Sequence, residues 1–143
     1  MIRKHTSADL EQLIHIWREA TALAHHFLDA DLVSKIEKDM REVYLPDSQT
    51  WVYEEDGEVV GFISMANNEI GGLFVLTDEH ARGIGTALVN YVGLLFEQLE
   101  VEVFVKNQIG RAFYNKYGFR PIKKYRHLPS QEMVLRLECA TRF

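Results

Sequence analysis

The chain has 143 residues, 47% of them hydrophobic and 26% charged, with one cysteine and a formal net charge of −5. About 150 residues bury roughly two-thirds of their unfolded surface, enough for one domain over residues 1–143 but not for separate nucleotide and substrate modules. The charge argues against nucleic acid, the lone Cys139 excludes an intramolecular disulfide, and the absence of a long apolar run or signal-type start leads us to expect a cytoplasmic protein with no membrane partner, monomeric or homodimeric.

Thr6 and Asp9 can cap a helix, and Leu10, Leu13, Ile14 and Trp17 recur at helical spacing, which predicts a first helix over about Ser7 to Ala24. Leu32, Ile36, Met40 and Val43 predict a second, ended by Pro46. Thr50 to Glu54 and Val59 to Met65 are rich in β-branched and aromatic residues, and Asp56-Gly57 between them signals a two-residue hairpin. Asn67-Asn68 breaks the chain before Ile70 to Leu76, giving a three-stranded antiparallel meander, with Ile2 to Lys4 as a possible edge strand. Ile84, Leu88, Tyr91/Val92, Leu95 and Leu99 then predict a helix of about 15 residues before the strand-like Val101 to Val105. Strand, helix and strand make a right-handed parallel crossover, so the sheet is mixed. Ile109 to Tyr117 reads as a short helix capped by Gly118, followed by a final strand pair, Phe119 to Tyr125 and Glu132 to Leu137.

Charge divides along the chain. Asp29 to Glu58 holds ten acids and three bases, a local −7, whereas Lys106 to Gln131 holds seven bases and no acid. This suggests that the C-terminal part receives an anion and the N-terminal part a cation.

The most informative segment is Val75-Leu76-Thr77-Asp78-Glu79-His80-Ala81-Arg82-Gly83-Ile84-Gly85-Thr86-Ala87-Leu88, with two glycines between a strand and an amphipathic helix. Glycine permits positive φ and close approach, and the unpaired N–H groups of a helix start attract phosphate, so the segment is an anion cradle. A P-loop would need Gly-Lys-Ser/Thr, which is missing, and a dinucleotide fingerprint would need a third glycine where Leu88 stands.

The segment resembles the acyl-CoA motif of the GNAT superfamily of N-acetyltransferases, Gln/Arg-x-x-Gly-x-Gly/Ala, with His80 where Gln or Arg is usual. Asn107, Ala112-Phe113-Tyr114 and Gly118-Phe119 are similar to a second family signature, and His25-His26-Phe27-Leu28 to a feature of its small stand-alone bacterial members. The resemblance covers nearly the whole chain. It implies an α/β (α+β) fold: a mixed, mostly antiparallel sheet of six to seven strands with a splay between the fourth and fifth, flanked by about four helices. It also implies acetyl-CoA as cosubstrate, held by Leu73, Phe74 and Val75 through the pantetheine arm and by His80, Arg82, Gly83, Ile84, Gly85, Thr86 and Ala87 at the pyrophosphate. Asn107, Arg111 and Tyr114 complete the expected set, with Lys106 and Lys116 available to the adenosine phosphates.

In that resemblance Tyr114 is the proton donor to the departing thiolate, placed beside the core stripe of Phe113 and so off the core face, and a backbone N–H near Val75 stabilises the oxyanion. The acceptor is a primary amine of a small molecule or a protein lysine; a non-catalytic acyl-CoA-binding module is the alternative. A lysine-like amine is protonated at pH 7 and must lose a proton before attack. Glu69, His26, His25 and Glu54 are the candidate bases. Trp17, Phe27, Leu28, Tyr44 and Tyr53 are candidates for the acceptor pocket. Adjacent His25 and His26 diverge and lack a third ligand nearby, so no metal is expected. Cys139 has no nearby histidine, which favours direct transfer over an acyl-enzyme.

Overall fold

A computed structural model describes residues 1–80 and 82–141. β1 (Ile2–Lys4) is the edge strand and pairs antiparallel with β2 (Gln49–Glu55). Thr6 and Asp9 form the reciprocal cap, with the Thr6 N–H donating to Asp9 Oδ2 at 2.8 Å. Arg3 grips the same carboxylate at 2.9 and 3.0 Å and, with Thr6, holds its pKa down to about 2. One turn of 3-10 helix leads into α1 (Leu10–Ala24), which buries Leu13, Ile14, Ile16 and Trp17.

The next helical stretch differs from expectation. α2 (Ala30–Asp39) passes into a π turn (Met40–Tyr44) and the one-turn α3 (Leu45–Asp47), so Pro46 does not end the helix. The π register has the Leu45 N–H donate five residues back to the Met40 carbonyl. Pro46 then falls in the first turn of α3, where its missing N–H costs nothing. The extra residue also turns Val43 off the apolar stripe, leaving it 53% exposed.

β2 and β3 (Glu58–Ala66) meet through Asp56 and Gly57, whose φ values of 53° and 81° make the left-handed turn that matches strand twist. β4 (Glu69–Val75) completes the meander. α4 (Ile84–Gly93) is ten residues rather than about fifteen. Leu94 and Leu95 are exposed, and Leu99 belongs to β5 (Gln98–Phe104), where it alternates with Val101 and Val103 on the core face. A period of two had been read as a continuation of a helical stripe. α5 (Gln108–Tyr117), β6 (Arg120–His127) and β7 (Glu132–Ala140) follow.

The seven strands lie in the order β1-β2-β3-β4-β5-β7-β6, antiparallel except for β4 and β5. Ile63, Leu88, Val92, Leu99 and Val101 fill the layer under α4 and α5, and Leu13, Trp17, Val52 and Phe62 the layer under α1. Among the described residues no helix is long and apolar enough to cross a membrane.

Candidate active site

β4 and β5 pair only at Glu69 with Glu100 and Ile70 with Val101. Beyond that point β4 continues with β3 as far as Val75, and β5 with β7 as far as Phe104. The expected splay is therefore present. Leu76 donates its N–H to Val60 on the β3 side. Strand alternation then turns the N–H and C=O groups of Leu73 and Val75 toward the gap, where no strand meets them. This half-buried strand edge, which no strand pairs, leaves backbone groups available to a ligand.

Around the gap lies a cleft of about 1820 Å³, larger than an ordinary ligand pocket. At its mouth Gly83 caps α4 with φ +81°, a left-handed conformation that suits glycine. Ile84, Gly85 and Thr86 hold the first-turn N–H groups left over by the helix, but the Ala87 N–H is spent on the Gly83 carbonyl at 2.9 Å. Ala87 thus brings no free backbone donor.

The polar residues of the motif are more occupied than the sequence suggests. His80 Nε2 lies 3.0 Å from the Val75 carbonyl, so it donates there, and its ring offers phosphate a second N–H only as imidazolium. Arg82 is held by Glu55, at 2.7 and 3.0 Å, and by Glu79. Arg111 reaches back to the Val105 carbonyl at 3.0 Å, and Lys106 pairs with Glu132 at 3.1 Å. Lys123, Lys124 and Arg126 stand on β6 at the far sheet edge. Of the basic segment, Lys116 and Arg120 line the cleft, and Arg120 is bound to Glu138 at 3.0 Å.

Tyr114 is the buried residue of α5, packed against Phe113 and Phe119, so it faces the core rather than lying off it. Residues 110, 114 and 117 share one helix face, and Phe113 is only half-buried beside it. The Tyr114 side chain also lines the cleft, and its hydroxyl meets no hydrogen-bond partner among the described residues. Burial pushes its pKa far above the usual phenol range. At neutral pH it carries its proton.

Asn107 caps α5 by accepting the Gly110 N–H at 2.9 Å, while its amide donates to His25 Nε2 at 3.2 Å. His25, packed edge-on against Phe27 and Phe104, has its pKa lowered to about 4 by burial, which keeps it the neutral acceptor this bond needs. It is the tie between the end of α1 and the start of α5, which sequence reasoning missed because the two residues are 82 positions apart.

The candidate bases are dispersed. Glu69 is clamped by Arg136 at 2.9 and 3.3 Å, His26 is exposed with Nδ1 3.4 Å from the Leu23 carbonyl, and Glu54 pairs with Arg3 at 3.2 Å away from the cleft. In both glutamates the arginine occupies carboxylate oxygens that a base would need free. Trp17, Leu28 and Tyr44 line the cleft; Phe27 and Tyr53 do not. Burial raises the Cys139 thiol pKa, which makes it a weaker nucleophile.

A splayed sheet with a glycine-capped helix at its mouth and a buried tyrosine at its centre defines a GNAT-type acyltransferase site. Residues 46–121 match the acetyltransferase (GNAT) domain family, and the chain belongs to that family and is an N-acetyltransferase. It is 37% identical over 120 residues to the peptidyl-lysine N-acetyltransferase YiaC of Escherichia coli K12, covering 83% of this chain and 82% of the relative. The peptidyl-lysine N-acetyltransferase YjaB of the same organism is 29% identical over 120 residues, 83% of this chain and 81% of that one. The solution structure of apo YjaB superposes with a TM-score of 0.87 over 96% of this chain and 95% of that one. An N-acetyltransferase from Thermoplasma acidophilum, solved with coenzyme A, shares the fold with a TM-score of 0.78 at 19% identity, over 95% and 96% of the two chains.

Proposed function

We propose that this enzyme transfers the acetyl group of acetyl-CoA directly to the ε-amine of lysines in proteins. The observation that carries the reading is the meeting, in one cleft, of the β4 edge at Leu73 and Val75, which no strand pairs, with the unpartnered Tyr114 hydroxyl. The lysine acceptor is supported by the activity named for the YiaC and YjaB relatives.

The pantetheine arm runs along the strand edge that β5 abandons, pairing with the N–H and C=O of Leu73, and Phe74 lines the path. The pyrophosphate rests on the N–H groups of Gly83, Ile84, Gly85 and Thr86, and Lys116 supplies the nearest unpaired positive charge. His80 frames the mouth of the cleft from the Val75 carbonyl. Asn107 and Arg111 act on the cosubstrate indirectly, by fixing the start of α5.

The amine attacks the thioester carbonyl, the Val75 N–H stabilises the oxyanion, and the C–S bond breaks as Tyr114 passes its proton to sulfur. The proton lost by the new amide nitrogen restores the phenol. Burial that raises the phenol pKa also raises the basicity of the departing thiolate, so donor and acceptor stay matched. The setting that goes with this reading is the cytoplasm, with acetyl-CoA as cosubstrate.

Thiol release is measured with acetyl-CoA and a panel of lysine peptides, free amino acids and small amines. The expected result is acetylation of peptides well above free amines, with the modified lysine located by mass spectrometry. Turnover confined to a small amine overturns the lysine assignment.

A further inference from the structure

Of the candidate bases, Glu69 and Glu54 are held by arginines, His26 is exposed, and His25 lines the cleft but has Nε2 engaged by the Asn107 amide. A row of hydroxyls crosses the sheet toward the gap instead. Ser48, at the end of α3 just before β2, has its oxygen 2.8 Å from that of Thr50 on β2. Thr50 lies directly across from Ser64 on β3, again with oxygens 2.8 Å apart. Ser64 in turn opposes Gly72 on β4, the strand that borders the gap.

Exposure along this row is uneven. Thr50 is 0% exposed, whereas Ser48 and Ser64 are half-buried and both line the cleft. Ser64 is the partly open position in the otherwise buried run from Val59 to Met65. Ser48 sits at the rim between exposed Asp47 and Gln49. At Gly72 a Cβ would stand 2.6 Å from the Phe74 ring, so a side chain there would push the ring aside, and the ring lies over bare backbone. Phe74 and Ser64 both line the cleft, and an aromatic face favours a cation. No charged side chain among the described residues hydrogen-bonds to any of the three hydroxyls. Each is free to accept on one side and donate on the other.

We infer that Ser64, Thr50 and Ser48 form a proton relay that deprotonates the acceptor amine; the inference rests on the transferase reading above. The ammonium gives a proton to Ser64 Oγ, Ser64 passes its own to Thr50 Oγ1, Thr50 passes its own to Ser48 Oγ, and Ser48 releases one to solvent at the rim. Each hydroxyl ends with one proton, and the amine keeps the N–H electron pair for attack on the thioester. Ser64 touches the acceptor; Thr50 and Ser48 act through it.

The test uses Thr50→Val, which keeps the shape and removes the hydroxyl, beside Thr50→Ser, which keeps the hydroxyl. Two acceptors are compared at pH 7: a lysine peptide and the same peptide bearing an aminooxy side chain, whose amine is already neutral. Thr50→Val is expected to lower kcat about 10²-fold with lysine, the scale of general base catalysis, and within threefold with the aminooxy peptide. Thr50→Ser stays within a few-fold of wild type on both, and calorimetry with CoA gives equal affinities for all three proteins. Equal losses on both acceptors, or none on lysine, overturn the relay. Wild-type protein that binds CoA and acetylates neither peptide overturns the transferase reading and the relay with it.

Discussion

The two sides of the cleft are held with unequal firmness. α4, beside the glycine turn, buries Ile84, Leu88, Val89 and Val92 against the sheet, while α2, on the opposite side, has no buried residue. Ion pairs to α1, Arg18 with Glu37 and Arg41 with Glu11, tie down the α2 stretch at the surface. Fully burying an aliphatic side chain contributes about 1.5–3 kcal/mol, and an exposed ion pair about 0–1 kcal/mol. The glycine-turn side is thus held by buried apolar packing, and the α2 side by surface ion pairs and half-buried contacts such as Val33 and Ile36.

The largest effect that bears on this division is expected where the two sides converge. Tyr114→Phe removes the proton donor and keeps the ring among Phe113 and Phe119. kcat should fall about 10²–10⁴-fold, with CoA affinity by calorimetry unchanged. An undiminished kcat would relocate the acid to another residue or to water.

Next comes the glycine-turn side alone. Gly83→Val places a β-branched residue at φ +81°, a conformation that costs an L-residue roughly 1–2 kcal/mol. No neighbouring atom lies within 4 Å of a Cβ at that position, so the cost is backbone strain and not collision. The KM for acetyl-CoA should rise about tenfold while the KM for the peptide stays within twofold. Equal changes in both would mean that the two sides are mechanically coupled.

The seam between the sides is the Asn107–His25 bond, and it carries a pH signature. The unfolded chain protonates His25 near its ordinary 6.5, but the folded protein only near 4. Between those values the unfolded state binds more protons, so this contribution is complete above about pH 6.5 and is lost as pH falls toward 4. The loss is on the order of 2 kcal/mol. In urea titrations at pH 7.5 and 4.5, His25→Phe should lose less stability on acidification than wild type. Identical pH dependence in the two proteins would mean that His25 is solvated.

The firm side was also the more legible in the sequence. The glycine turn before α4 and the order of elements along the chain could be read because local backbone demands and motif spacing are written in adjacent residues, whereas Tyr114 was expected off the core face and is buried. The α2 side was misread at Pro46 and Val43, since a π turn depends on one shifted hydrogen bond that no periodicity announces. Leu99 was assigned to the wrong element because a two-residue and a four-residue repeat coincide there. Side-chain commitments were the least visible. Nothing in the run of bases after Lys106 tells that Lys106 turns to Glu132 or that Arg111 holds a carbonyl. The hydroxyl row was also hidden, because Thr50 and Ser64 become neighbours only through strand register.

The smallest effect separates the two lysines that composition treats alike. Lys116 lines the cleft that also holds Gly83 to Thr86, and Lys106 is neutralised by Glu132 at the far end of β5. Both are exposed, so their fields are screened by salt, with a Debye length of about 10 Å at 0.1 M. Lys116→Glu should raise the KM for acetyl-CoA about threefold in low salt and much less in 0.5 M salt, whereas Lys106→Glu should change it little in either. If the two variants respond equally, the cosubstrate senses only the summed charge of the C-terminal segment; if Lys116→Glu alone responds, it senses the position of a cleft-lining cation.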